Sequence, residues 1–504
     1  MPDRIEFRLT LPTAISTPTQ PDPEAPFRIL IMADFSGRAA GETPASGLDR
    51  AGRPPLPVDM DRFAAVMSRL APRLSLPLHG ETSTEAITLR FSELDDFHPD
   101  ALCRQLESLQ SLCRSRANPP NLADLAQVTQ PHPSLTVESP NPSQPPTEDH
   151  NALLERLLGK TPSHAQTGTG SGVGAIDGLV KAIVQPHIVQ PDHQQAAWLA
   201  ATDALLGERL RAILHHPDFQ ALEATWRSTY DLVAHVDSDA VQIELFDMTR
   251  NELLADLRAA GDDPRATRLY SILIDQGVRA ADGHPWSLWV GDYHFGATTE
   301  DIALLASLGI LAAEAGGPFL AAAAPSLLGC PATASLTDPA LWTPPLAEHQ
   351  RDWQALRTSS IAPWLGLATP RILLRLPYGQ KTDPIEQFPF EEMPSGRDAD
   401  AYLWGNPAFS CARLIADGFM ENGFENGLNA PLALDDLSAH SYQQAGERAL
   451  QPAVEALLGE RAALSILAHG VMPILGSRQH NSARLAGFRS LANPATGLAG
   501  RWQT

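Results

Sequence analysis

An α/β fold, with α+β character in part, is what this sequence predicts, and three observations point to it. Short apolar runs of strand length recur along the chain, as at Arg28–Phe35 and Ser287–Asp292. Between them lie stripes of apolar residues at helical spacing, such as Phe219, Leu222, Trp226, Tyr230 and Val233. Strand and helix patterns alternate over the longer, C-terminal part, which calls for a largely buried sheet.

Ile29, Leu30, Ile31 and Met32 form a run too short for a helix, and Gly37 permits a turn after it. Residues 47–57 read as a polar, proline-rich loop. Phe63, Val66, Met67 and Leu70 set a helix that Pro72 ends. Ile87, Leu89 and Phe91 alternate with polar residues as a half-buried strand. Pro99 suits a first helical turn, and Leu102, Leu106, Leu109 and Cys113 continue as one stripe. That reading puts Cys103 and Cys113 on one helix, too far apart to bond.

From about 117 to 150 the composition changes to Pro, Ser, Thr, Asn and Gln, with prolines at 119, 120, 131, 133, 140, 142, 145 and 146. This predicts an extended, disordered tether. Residues 151–160 (NALLERLLGK) follow as a short amphipathic helix, with Leu153, Leu154, Leu157 and Leu158 on one side. Residues 161–175 are a Gly/Ser-rich spacer.

Beyond it, Trp198, Leu205, Leu206, Leu210 and Ile213 predict a helix that Pro217 stops. Val241, Ile243 and Leu245 alternate as a strand, and Thr249 with Glu252 reads as a capping box. A helix at 268–276, a strand at Ser287–Asp292, a helix at Thr298–Ala315 and strands at Phe319–Ala324 and Arg371–Leu376 complete the pattern.

The composition limits function. The chain has 504 residues and a net charge of −22, with no polybasic stretch, which argues against a nucleic-acid groove or an anionic membrane surface. Four cysteines without a CxxC pair suggest neither a disulfide framework nor a zinc site. The run Ile302–Ala324 is interrupted by Glu314, Gly316, Gly317 and Pro318, so it is no membrane span. The N-terminus lacks the apolar core of a signal peptide, and a cytoplasmic protein is expected.

Motifs for catalysis fall short of their structural requirements. A phosphate loop ending at Gly159-Lys160-Thr161 needs glycine at 154, where Leu154 stands. Gly170–Ala175 fits G-x-G-x-x-A but follows a polar spacer rather than a strand. His215-His216 are adjacent and point about 100° apart on a helix, which favours a structural role. Asp95-Asp96 fit a helix N-terminus better than an acid–base pair. Asp292, at the end of a strand, is the most site-like position; a buried, hydrogen-bonded turn is the preferred reading and a ligand the other. The tryptophans 226, 286, 289, 353, 364 and 404 are read as core. No catalytic, cofactor or metal residue is assigned.

Two sets of motifs carry a resemblance. PFRILIMADFSGR at Pro26–Arg38 and DDFHP at Asp95–Pro99 resemble the small (TssB, VipA-like) contractile-sheath subunit of type VI secretion systems. ILHHPDFQALEATWR at Ile213–Arg227, VGDYHFG at Val290–Gly296, RILLRLPYGQKTDPIE at Arg371–Glu386 and YLWGNPAFS at Tyr402–Ser410 resemble the large (TssC, VipB-like) subunit. The resemblance implies mixed sheets with flanking helices, residues 1–116 being the small segment and 176–504 the large one. It further implies a fused structural protein that assembles with sheath subunits around an inner tube. Partners would be inner-tube and baseplate proteins and a AAA+ unfoldase, which would recognise Leu153, Leu154, Leu157 and Leu158; docking of that helix on the large segment of this protein is the other reading. The family's large subunit continues past the point that Thr504 matches, so a sheath-like accessory that caps, nucleates or docks is the alternative role. An α/β enzyme with an unrecognised site is the alternative class.

Overall fold

The computed structural model describes residues 25–40, 54–77, 86–118, 193–261, 263–423, 427–444 and 446–502. The 151–160 segment, with Leu153, Leu154, Leu157 and Leu158, lies outside them. The chain divides into two compact units, one made of Met1–Cys113 with Asp203–Thr504 and the other of Arg114–Thr202. The first holds the sheets. In the second, the described residues are the last turn of one helix and the first turns of another.

In the N-terminal segment the elements are β1 (Phe27–Ala33), β2 (Leu56–Val58), α1 (Phe63–Leu70), β3 (Arg73–Pro77), β4 (Ala86–Arg90), α2 (Pro99–Gln105) and α3 (Glu107–Ala117). The C-terminal segment opens with α4 (His193–Leu214), α5 (Pro217–His235), β5 (Val241–Asp247), α6 (Arg250–Ala259) and β6 (Leu288–Phe295). It continues through α7 (Thr299–Ala315), β7 (Phe319–Ala323), α8 (Ala347–Arg357), β8 (Leu365–Thr369), β9 (Ile372–Leu373), β10 (Trp404–Gly405) and α9 (Pro407–Asn422). It closes with β11 (Ala433–Leu434), β12 (His440–Gln444), β13 (Glu447–Gln451), α10 (Glu460–Ala468), β14 (Val471–Gly476) and β15 (Ala483–Leu485).

Among the described residues the main sheet has nine strands in the order β11-β15-β14-β8-β7-β6-β1-β5-β2. From β5 to β14 neighbours are parallel, and the strands at both edges run antiparallel. The sheet is mixed, and the α/β expectation holds. Its central feature is β1. This N-terminal strand lies between two C-terminal ones, in register from Phe27 with Val241 to Ala33 with Asp247 on one side, and from Ile29 with Leu288 to Met32 with Gly291 on the other.

A strand paired on both sides and covered on both faces must be apolar throughout, not alternating. Phe27, Ile29, Ile31 and Ala33 pack into one hydrophobic cluster, and Leu30 and Met32 into the cluster on the other face. The second cluster surrounds α7, whose residues are buried all round. Such a helix belongs inside a large domain. Its acids are paired: Asp301 lies 2.6 Å from Arg250, and Glu314 lies 2.6 Å from Arg265, 3.1 Å from Arg279 and 2.6 Å from the Tyr270 hydroxyl.

Several expectations need correction. The stripe from Leu102 to Cys113 is not one helix, because Leu106 is extended between α2 and α3. Leu102, Leu106 and Leu109 are buried all the same. The bend places the Cys113 thiol beside that of Cys103, whose pKa burial raises first and Cys113 further. The expected strand Arg371–Leu376 shrinks to Ile372–Leu373 and pairs with β10 outside the main sheet. Arg375 is drawn inward there, and Pro377 cannot donate to a ladder. The expected helix at 268–276 is a short turn followed by a π-helix, Ser271–Val278. Asp292 lies within β6, which runs on to Phe295, not in a turn. Pro217 starts α5 as well as following α4, and His216 is its N-cap.

Candidate functional site: the interlock between the two segments

The N-terminal motifs fold onto the C-terminal ones at three places along β1 and beyond it. At the start of β1, the Arg28 backbone N–H donates to Ser287 Oγ (3.1 Å). Its guanidinium donates to Glu244 Oε1 (2.6 Å) and lies 4.0 Å from the centre of the Trp286 ring. Arg501, near the far end of the chain, donates to the Pro26 and Ala25 carbonyls (2.9 and 3.1 Å) and to Ser287 Oγ (3.0 Å).

At the end of β1 the DFSGR motif forms a tight turn. Asp34 accepts from the backbone N–H groups of Arg38 (2.9 Å) and Ala39 (2.7 Å). Burial, with Asp247 nearby, raises the Asp34 pKa against those two bonds. Gly37 sits at φ +72, and a Cβ there would lie 2.6 Å from the Arg73 carbonyl oxygen, so the turn requires glycine. The turn aims Arg38 at two carboxylates of the other segment. It pairs with Asp247 at the end of β5, and with Glu252 (2.8 and 3.1 Å). Glu252 also accepts from the Thr249 backbone N–H (2.8 Å), while Thr249 Oγ1 accepts from the Glu252 N–H (3.1 Å). The expected capping box is therefore present, and Arg38 locks onto it. Burial works against the Arg38 cation, and Glu252 and Asp247 more than offset it, so its pKa is raised.

The third place is aromatic and polar. Trp226 Nε1 donates to the Phe35 carbonyl (3.0 Å), and its ring meets Phe35 and Phe63 edge-on. Phe91 and Phe97 stack at 4.2 Å, and both meet Phe219. A His-Pro-Asp triplet recurs at 98–100 and 216–218, and both copies begin a helix. The histidine Nδ1 accepts from the N–H of the Asp two residues on, at 3.2 and 3.3 Å. Capping is thus the use of His216, whereas His215 lies 3.5 Å from the Glu392 carboxylate. Asp100 continues across the interface, accepting from the backbone N–H groups of Glu386 (3.0 Å) and Gln387 (3.3 Å).

Behind this interlock lies a buried ionic network. Arg375 donates to Glu223 (2.8 and 3.3 Å) and to Glu392 (2.8 and 3.2 Å), both fully buried, and sits 4.2 Å from the Tyr378 ring. Arg227 donates to Glu223 (2.7 Å) and the Tyr378 hydroxyl (3.2 Å), and the Tyr378 N–H donates to Glu392 (2.8 Å). Two carboxylates and two guanidiniums balance in charge. Burial alone would raise the Glu392 pKa, but Arg375, His215 and the Tyr378 N–H hold it at about 2.

The other singled-out residues have structural partners. Asp96 accepts from the Ser92 and Glu93 N–H groups (2.6 and 3.1 Å), as expected of a helix start. Asp292 accepts from Thr225 Oγ1 (2.6 Å) beside a cavity of about 500 Å³ that Asp34, Arg250 and His294 also line. Among the described residues no group of three or more His, Cys, Asp and Glu could hold a metal ion. The named tryptophans are buried, at 9% exposure or less. Leu153, Leu154, Leu157 and Leu158 fall outside the described residues.

Arg38, Asp247, Glu223, Arg375 and Glu392 were not singled out from the sequence, and Glu252 only as the capping-box partner of Thr249. Two of them did leave a signal. Arg375 interrupts an apolar run, and Glu223 adjoins the apolar stripe of α5 next to Leu222. A charge in such a place is rarely buried unless it is paired.

Comparison with known proteins finds two family models along the chain. The family model described as "EvpB/VC_A0108, tail sheath N-terminal domain" (VipB) covers residues 196–492. The model described as "Type VI secretion system, VipA, VC_A0107 or Hcp2" covers residues 4–137. The type VI secretion system sheath protein TssC1 of Pseudomonas aeruginosa is 29% identical over 374 residues, 72% of this chain and 74% of that protein. The sheath protein TssB1 of the same organism is 31% identical over 102 residues, 20% of this chain and 57% of that protein. With one family model spanning more than half of its length and a second covering its N-terminal segment, the chain belongs to the type VI secretion tail-sheath family and joins a VipA (TssB) segment to a VipB (TssC) segment in one polypeptide.

Proposed function

We propose that this chain is a ready-paired sheath subunit, in which one polypeptide supplies both halves of the building block and copies of it assemble around an inner tube. The observation that carries this reading is the position of β1, inside the sheet of the other segment. A strand shared in that way makes the two segments one folding unit in fixed one-to-one ratio. The role is mechanical rather than catalytic. The charged groups of the interlock pair with one another, as in the Arg375 network and at Arg38, and hold its elements in place. Inner-tube and baseplate proteins are the proposed further partners, and a AAA+ unfoldase the proposed recycler. The cytoplasm is the proposed compartment. No described helix is long and apolar enough to cross a membrane.

Electron microscopy of the purified protein, with and without the inner-tube protein, tests this. Tubes or stacked rings are expected. Small discrete particles under every condition would point instead to a capping or docking accessory. Calorimetry with ATP and Mg²⁺ is expected to be flat, and saturable micromolar binding would return the chain to the enzymes.

A further inference from the structure

A groove of about 620 Å³ opens where β5 ends beside the β3–β4 hairpin. Arg73 begins β3 and Arg90 ends β4, and the register sets them directly opposite each other. Both are exposed and both line the groove. Like charges in facing positions of two strands repel. No carboxylate among the described residues pairs with either guanidinium, because those in the groove are already committed. Asp96 holds the Ser92 N–H (2.6 Å) and hydroxyl (2.8 Å), and Asp247 holds Arg38. The backbone beneath the two arginines is fixed. The Arg73 N–H donates to the Ser36 carbonyl (3.1 Å), and the Gln105 amide clamps Arg90 by both main-chain groups (3.1 and 2.6 Å). The result is a pair of guanidinium forks on a held backbone, and such forks suit carboxylates. The stretch 41–53 of this chain offers Glu42 and Asp49 against Arg50 and Arg53, so it brings no net negative charge.

The opposite end of β5 is acidic. Asp237 and Asp239 precede β5, and Glu421 is next to last in α9. The Asp237 N–H lies 3.4 Å from the Met420 sulfur, which brings the two sites together. Asp239 and Glu421 are exposed. A strand the length of β5 separates the two ends by roughly 20 Å.

Building on the assembly reading above, we propose that the Arg73–Arg90 cleft receives the Asp239 and Glu421 end of a second copy, so that copies associate head to tail along the strand direction. The contact is heterologous, and such contacts propagate into rings or filaments instead of closing as dimers. Local charge complementarity favours this occupant: the cleft presents two exposed guanidiniums, and the far end of the same molecule presents the exposed Asp239 and Glu421 carboxylates.

Sedimentation of the full-length protein between about 0.05 and 0.5 M salt tests the proposal, with exposed charge pairs screened at the upper end. Parent association should weaken as salt rises. Arg73→Glu with Arg90→Glu, and separately Asp239→Lys with Glu421→Lys, should each weaken association about tenfold or more. An equimolar mixture of the two variants should recover it, because the reversed faces complement each other. Arg73→Gln with Arg90→Gln, checked by its circular dichroism melt, gives the same reading if the reversed pair does not fold. Variants that associate like the parent, or a mixture that does not recover, would overturn the proposal and leave the assembly reading standing. A parent that stays monomeric at every concentration and salt would remove both.

Discussion

Arg38 and Arg375 show how single side chains hold the two segments, and they differ in burial. Arg38 remains partly open to solvent, with 19% of its side chain exposed, and bridges Asp247 to the capping box of α6. Arg38→Ala is expected to cost about 2 kcal/mol in chemical denaturation, the scale of charge-assisted bonds. Arg38→Lys should recover only part, because an ammonium cannot match a fork spread over two carboxylates. Arg375 is different, since Glu223 and Glu392 beside it are sealed from water. Arg375→Met would leave two buried carboxylates facing each other, at a cost of about 3–5 kcal/mol. That loss should shrink at low pH, where one carboxyl can take up a proton. In the parent, the Glu392 pKa falls from the ordinary 4.5 to about 2. A depressed carboxyl pKa contributes stability that is present above the ordinary value and lost as pH falls through the depressed one. Denaturation midpoints should therefore fall between about pH 4.5 and pH 2. A profile flat across that window would show that the network does not hold Glu392 ionised.

At the scale of elements, the strands and helices whose pattern is local were legible in the sequence. Val241–Leu245 alternates because one side of β5 faces the first core cluster, and Phe246 then turns to the second. The apolar run of β1 announced a strand buried on both faces, but not which strands would flank it. Pairing with partners more than 200 residues away leaves no periodic mark, so the composite sheet could not be read from the chain. The break at Leu106 was missed for a related reason: Leu102, Leu106 and Leu109 are buried in one cluster, and the spacing of that stripe also fits a continuous helix. Gly291 in β6 shows what a motif glycine can mean, since a Cβ there would lie 2.3 Å from the Phe319 ring of the next strand. Gly291→Val should therefore part β6 from β7 and abolish soluble expression, whereas Gly459→Ala, with nothing within 4 Å, should not. The 151–160 segment remains a proposal from sequence. Leu154→Asp with Leu157→Asp is expected to abolish unfoldase binding and leave the thermal transition nearly unmoved. A large loss of stability would assign those leucines to the core of this protein instead.

For the whole molecule, the position of β1 decides what a cut in the chain should do. Two domains on a tether separate when the tether is severed, because covalent linkage alone kept their local concentration high. Here β1 pairs with β5 over seven residues and with β6 over four, and its side chains enter both hydrophobic clusters. Removing it would leave β5 and β6 with facing unpaired edges in the middle of the sheet, a template for aggregation. Proteolysis within Pro119–Pro146 should therefore give two fragments that elute together at micromolar concentration and part only in denaturant. Residues 176–504 expressed alone should be insoluble, and coexpression with residues 1–116 should rescue them. A soluble C-terminal fragment with its own cooperative unfolding transition would sink this account. The sheet would then close without β1, and the fusion would join two independent folds.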